Sequence, residues 1–104
     1  MSDRETPETV SAWARQTFGP ISGPESIAAR ANKEMAELLA KCILEPDDLD
    51  VIIEETADVI ICLYRMVECG DVDLFAAIDR KMAINRARKW VVKNGHGQHV
   101  EAGK

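Results

Sequence analysis

The chain reads as an all-α protein built from four helices, on three observations. Apolar residues recur with the helical period of about 3.6 residues, no stretch shows the alternation of a half-buried strand, and helix breakers cut the sequence into runs joined by short loops. Thr6 before Pro7 and Glu8 is an N-cap with proline at the first helical position, and the helix it opens runs through Phe18 to the breaker Gly19-Pro20. Its inward stripe is Val10, Trp13, Ala14 and Thr17.

The turn-rich segment Gly19 to Pro24 leads to a second helix, from about Glu25 to Leu44, with Ile27, Ala31, Met35, Leu38 and Cys42 as its apolar stripe. Pro46 and Asp47-Asp48 break the chain and supply a new N-cap. The third helix, from about Asp48 to Cys69, is apolar around most of its circumference from Val59 onward, a pattern that in so small a chain favours a homo-oligomer. Gly70-Asp71 precedes a fourth helix from about Val72 to Val92. Residues 1–94 are thus expected to form one domain and 95–104, which carry no core signal, a mobile tail. His96 and His99 fall in that tail and read as exposed histidines without a role.

A chain of 104 residues, 46% hydrophobic and 30% charged, is long enough for one modest core. The net charge of −5 argues against binding a nucleic-acid polymer but leaves room for a small polyanion offset by metal ions and a local basic cluster. The polar N-terminus and the shortness of the longest apolar run, Val59 to Tyr64, speak against a signal peptide and a membrane span, so a cytoplasmic setting is expected. Cys42, Cys62 and Cys69 lack Cys-x-x-Cys spacing and read as small buried or half-buried thiols.

Two acidic pairs at one helical spacing, Glu34/Glu37 and Glu55/Asp58, stand inside runs that otherwise read as core. Carboxylates three apart lie on one side of a helix and repel each other unless a cation or proton intervenes. Either pair alone reads more simply as a solvated face, with Arg30 and Lys41 as partners on the second helix. Their joint occurrence on successive helices shifts the balance, because helix bundles build dimetal sites from carboxylates on facing helices, and hard oxygen ligands suit Mg²⁺ or Mn²⁺. Asp58, followed at once by the apolar run, is costly there unless paired or metal-bound, whereas Glu54 points about 100° away from Glu55 and reads as solvated.

On the fourth helix, Leu74, Ile78, Lys81, Asn85 and Arg88 form a stripe that is apolar in its first half and cationic in its second, where a phosphate could sit. Taken alone, that half reads more simply as a solvated basic end complementing the helix dipole, and Lys89 could join either picture. Trp13 and Phe18 are most simply core residues; Trp13 is the better candidate for stacking on a nucleobase.

With these residues assembled, the chain resembles the MazG-like all-α nucleoside triphosphate pyrophosphohydrolases from Trp13 to Trp90. Their E-x-x-E segment is matched by Glu34 and Glu37, their E-x-x-D segment by Glu55 and Asp58, and a downstream K-x-x-x-N-x-x-R by Lys81, Asn85 and Arg88. Many members carry a glutamate ahead of the E-x-x-E core where this chain has Lys33, which puts one metal or water contact in doubt. The resemblance implies Mg²⁺-dependent hydrolysis, with Mn²⁺ as a substitute, of a (deoxy)nucleoside triphosphate to monophosphate and pyrophosphate. It also implies metals held by Glu34, Glu37, Glu55 and Asp58, and a dimer or tetramer with sites near subunit interfaces.

In that mechanism Lys81 and Arg88 stabilise charge on the phosphates, and a carboxylate not fully engaged with metal, Glu37 or Glu34, takes the proton of the attacking water. The WARQTFGP opening and KEMAEL segment look most like small phage-type members acting on dGTP or dATP, including the branch that supplies dGMP in phages using 2-aminoadenine, which would set the protein in the host cytoplasm. Two rivals stay open. One is a dUTPase-like or dCTPase-like all-α phosphohydrolase, and the other is a non-enzymatic helical interaction module whose acids are solvated.

Overall fold

The computed structural model describes residues 3–93 and 95–100. The described chain runs α1 (Pro7–Phe18), α2 (Pro24–Leu44), α3 (Leu49–Tyr64), a 3-10 turn (Arg65–Cys69), α4 (Leu74–Ala87), and two strands, β1 (Lys89–Lys93) and β2 (His96–Val100). Helix dominates, and the expected all-α class holds with the short hairpin added. The chain divides into two compact units, Met1–Val72 and Asp73–Lys104.

In the first unit, local chemistry starts and stops each helix. Thr6 caps α1 in a reciprocal box: Thr9 N–H donates to the Thr6 hydroxyl oxygen at 3.1 Å, and Thr6 N–H donates to the Thr9 hydroxyl oxygen at 2.8 Å. Gly19 ends the helix at φ 89°, a conformation that costs glycine little, and its N–H still donates to the Arg15 carbonyl. Asp48 caps α3 by accepting from Val51 N–H at 3.2 Å.

The core of this unit is small. Pro7, Val10 and Ala14 of α1, Ile27 and Ala31 of α2, and Val59 of α3 are its buried apolar residues. Helices α2 and α3 pack along each other, while α1 packs chiefly on the 3-10 turn and α3.

Burial stops short of the expected stripes. Trp13 and Thr17 of α1 are exposed, and on α2 Met35 and Cys42 are exposed while Leu38 is half-buried. On the end where α2 passes into α3, the first unit's other described residues leave Leu39, Ile43, Leu44, Leu49 and Ile53 exposed as well. Cys69 is exposed as well, and only Cys62 keeps the half-buried position expected of the three thiols.

In the second unit, Asp73 caps α4 by accepting from Ala76 N–H at 3.0 Å. The helix closes at Ala87, not Val92, because Arg88 turns to extended backbone at ψ 154° and the β-branched pair Val91-Val92 follows in strand. β1 and β2 are antiparallel, from Lys89 opposite Val100 to Lys93 opposite His96, with Gly95 at φ 78° in the connection. Residues 96–100, expected in the tail, therefore form a strand. His96 is exposed, and the His99 side chain and residues 101–104 lie outside the described ones.

Candidate active site

Three of the expected carboxylates come together. Glu34 and Glu37 project from α2 one turn apart, Glu55 projects from α3, and one oxygen of each lies within 4.8 Å of the others. The placement follows from helix spacing: Glu34 stands three residues after buried Ala31, Glu55 four residues before buried Val59, so both acids leave the packed seam at its edge.

Like charges this close resist ionising together. The charge on Glu34 is the main reason that the Glu37 carboxyl is held above its ordinary range, with a hydrogen bond between the two groups, some desolvation and the charge on Glu55 adding to it. Lys33, one residue before Glu34, opposes the shift. Arg30 Nε donates to Glu34 Oε1 at 3.3 Å and offsets part of the charge.

Glu55 carries the diagnostic atom. Its Oε2 is buried and meets no hydrogen-bond partner among the described residues. An orphaned carboxylate oxygen is costly, and three convergent hard oxygens are the donor set that Mg²⁺ or Mn²⁺ prefers. The residues present fit such an ion.

Asp58 stands apart from this trio. It is exposed, so the desolvation cost foreseen for it does not arise in the single chain. It lines an open pocket of about 690 Å³, a volume in the range of small-molecule sites, and Glu34 lines the same pocket. Glu34 thus belongs both to the carboxylate cluster and to the pocket. Glu54 is exposed, as its angle predicts.

Part of the pocket lining is aromatic. Trp13 and Phe18 sit edge to face with centroids 5.5 Å apart, and both line the pocket. They are 57% and 70% exposed, so neither is the core residue that sequence most simply suggests. Ile27 and Ile61 add apolar lining, and Ser22, Ser26, Arg30 and Arg65 supply polar groups.

A network around Arg65 was invisible to motif reading. Arg65 donates from Nε to Glu68 Oε2 at 2.6 Å, from Nη2 to Glu68 Oε1 at 3.1 Å and from Nη2 to the Gly19 carbonyl at 2.8 Å, while Ser11 Oγ donates to Glu68 Oε2 at 2.7 Å. The fork from Arg65, helped by Ser11, holds the Glu68 carboxyl below its ordinary range, and Glu68 in turn raises Arg65. An Arg and a Glu three apart was the only available signal.

The basic residues belong to the second unit. Lys81 is exposed and Asn85 half-buried, one turn apart on α4. Arg88 lies just past the helix and Lys89 opens β1, so neither continues the helical stripe expected of them. The Asn85 carbonyl accepts from Trp90 Nε1 at 2.7 Å, tying the hairpin to the helix end.

The fold and the site define a class: a helical chain in which acidic faces of two packed helices border a pocket large enough for a nucleotide. A protein of Cyanophage S-2L named dATP/dGTP diphosphohydrolase is 34% identical over 92 residues, which cover 88% of this chain and 81% of that protein. A protein of Salmonella phage PMBT28 with the same name is 35% identical over 92 residues, covering 88% of this chain and 29% of that longer protein. The chain belongs to the family of these phage dATP/dGTP diphosphohydrolases. No family model matches the chain, and no solved structure does.

Proposed function

We propose that the chain hydrolyses a purine deoxynucleoside triphosphate, dATP or dGTP, to the monophosphate and pyrophosphate, in service of nucleotide pool control or supply. The observation that carries this reading is Glu34, which joins a cation-suited carboxylate cluster to a nucleotide-sized pocket with an aromatic wall. The name shared by the two phage relatives supports the purine deoxynucleotide.

Glu34, Glu37 and Glu55 would hold Mg²⁺ or Mn²⁺, with Asp58 at the pocket edge as a further ligand. Such an ion, when bound, supplies charge neutralisation on triphosphate oxygens and a lowered pKa for bound water. The protein's own part is then positioning and proton transfer. Trp13 and Phe18 offer ring faces and edges to a base, and Arg30 offers a guanidinium to phosphate oxygens. Whichever of Glu37 and Glu34 is not fully engaged with the ion, Glu37 first, is the general base that takes a proton from attacking water. Lys81, Asn85, Arg88 and Lys89 are proposed to act on the phosphates.

The exposed apolar residues of α2 and α3 support a homodimer or homotetramer, and the phage relatives support a setting in the host cytoplasm. Among the described residues, no helix is long and apolar enough to cross a membrane.

The test is turnover of each common dNTP and NTP with Mg²⁺ or Mn²⁺, with products separated by chromatography. Purine monophosphate plus pyrophosphate is expected, and Glu55→Ala should lower kcat by about 100-fold or more while the protein stays folded. A pyrimidine preference would move the chain toward a dUTPase-like or dCTPase-like specificity. No turnover, together with no calorimetric signal for Mn²⁺, would leave a helical interaction module as the better reading.

A further inference from the structure

The 3-10 turn that follows α3 winds at about three residues per turn, so residues three apart lie almost in line along its edge. Arg65 and Glu68 are such a pair, and only 14% and 6% of their side chains is exposed. Their contact is a fork, the two guanidinium nitrogens meeting the two carboxylate oxygens. Each member then reaches out to α1. Glu68 accepts from Ser11, which is 5% exposed in the middle of that helix, and Arg65 donates to the carbonyl of Gly19, the residue that ends it.

One ion pair is thus tied to α1 at two points, eight residues apart. The second point matters most. Gly19 directly follows Phe18, which is 70% exposed and rests against Trp13, itself 57% exposed. Apolar burial therefore does little to fix this corner of the pocket. Nor is Arg65 a simple counter-ion for phosphate, because Glu68 already balances its charge.

We infer that Arg65 is a positioning residue: clamped by Glu68, it holds the Phe18–Gly19 corner and, through it, the aromatic wall formed by Trp13 and Phe18. The kinetic consequence rests on the substrate reading above; the structural one does not. Lysine cannot replace arginine here, since an ammonium lacks the planar fork that spans a carboxylate and a carbonyl together.

The experiment uses the full chain with Trp90→Phe, which leaves Trp13 as its sole tryptophan. In that background, Arg65→Lys should red-shift Trp13 emission and raise its acrylamide quenching about twofold, with helical circular dichroism retained. For dATP or dGTP, KM should rise about tenfold with kcat within about twofold of the parent. Ser11→Ala removes the tie from Glu68 to α1 and leaves both arms of the Arg65–Glu68 fork in place, and should move quenching and KM in the same direction by less; it decides the matter if Arg65→Lys does not fold. A lower Tm with unchanged quenching and KM would make the network merely structural and overturn the inference, as would a loss confined to kcat. If the parent turns over no nucleotide, the substrate reading fails and the quenching comparison still decides.

Discussion

At the residue scale, the informative atoms are those placed against ordinary energetic preference. Glu37 shares its space with Glu34 and Glu55, and its carboxyl is held above the usual range chiefly by the Glu34 charge. A group whose folded pKa is raised favours the fold fully below its unfolded pKa and loses that contribution as pH rises through the folded value. Glu37→Gln should therefore raise Tm at pH 7, with the gain shrinking toward zero as pH falls below the ordinary glutamate range, while turnover drops. Thermal melts across pH check the sign, and an equal or lower Tm at pH 7 would mean that the three acids do not strain one another. This much was legible from spacing, because carboxylates three apart must share a helix face. That Glu55, not Asp58, completes the trio was not legible, since periodicity gives the face of each helix and never the register between two.

At the scale of elements, the starts of helices were the most readable feature. Thr6-Pro7 announces α1 and Asp48 announces α3, because a side-chain oxygen that accepts a first-turn N–H leaves a local signature. Thr6→Ala should cost about 1 kcal/mol of stability, measurable by urea denaturation, since Thr6 holds one side of a reciprocal capping box. The ends were read less well. The third helix was expected to Cys69 and instead tightens at Arg65, where the side-chain fork to Glu68 and the link to Gly19 reward the tighter winding. The fourth was expected to Val92, yet Trp90-Val91-Val92 followed by Asn94-Gly95 carries a hairpin signal that the apolar stripe of α4 obscured. The pair Arg65/Glu68 also brings acid sensitivity. Glu68 is held below its ordinary pKa, so its stabilisation is complete above that value and fades as pH falls through the lower folded one.

At the scale of the whole molecule, the apolar content was plain in the sequence, but where it would be buried was not. Ile27, Ala31 and Val59 close a small core, while Leu39 at 59%, Ile43 at 67% and Ile53 at 57% exposure remain uncovered. A second copy of the chain is the expected cover. The parent should sediment as a dimer or tetramer, and Leu39→Glu with Ile53→Glu should shift it toward monomer, each change costing about 2 kcal/mol of association. A monomeric parent at micromolar concentration would refute that expectation. Nor did periodicity mark a boundary near residue 72, where one compact unit gives way to the next. The 3-10 turn carries a consequence for motion. Hydrogen bonds in such windings have poorer geometry than those of an α-helix, and segments of this kind open at lower free energy than the body of a domain. The amides of Met66 to Cys69 should exchange with solvent faster than those around Ala31, and bound nucleotide should slow them. That pattern of exchange would mean that the winding tying Arg65 and Glu68 to α1 loosens before α2 and α3 do, so that its clamp on the aromatic wall tightens with occupancy.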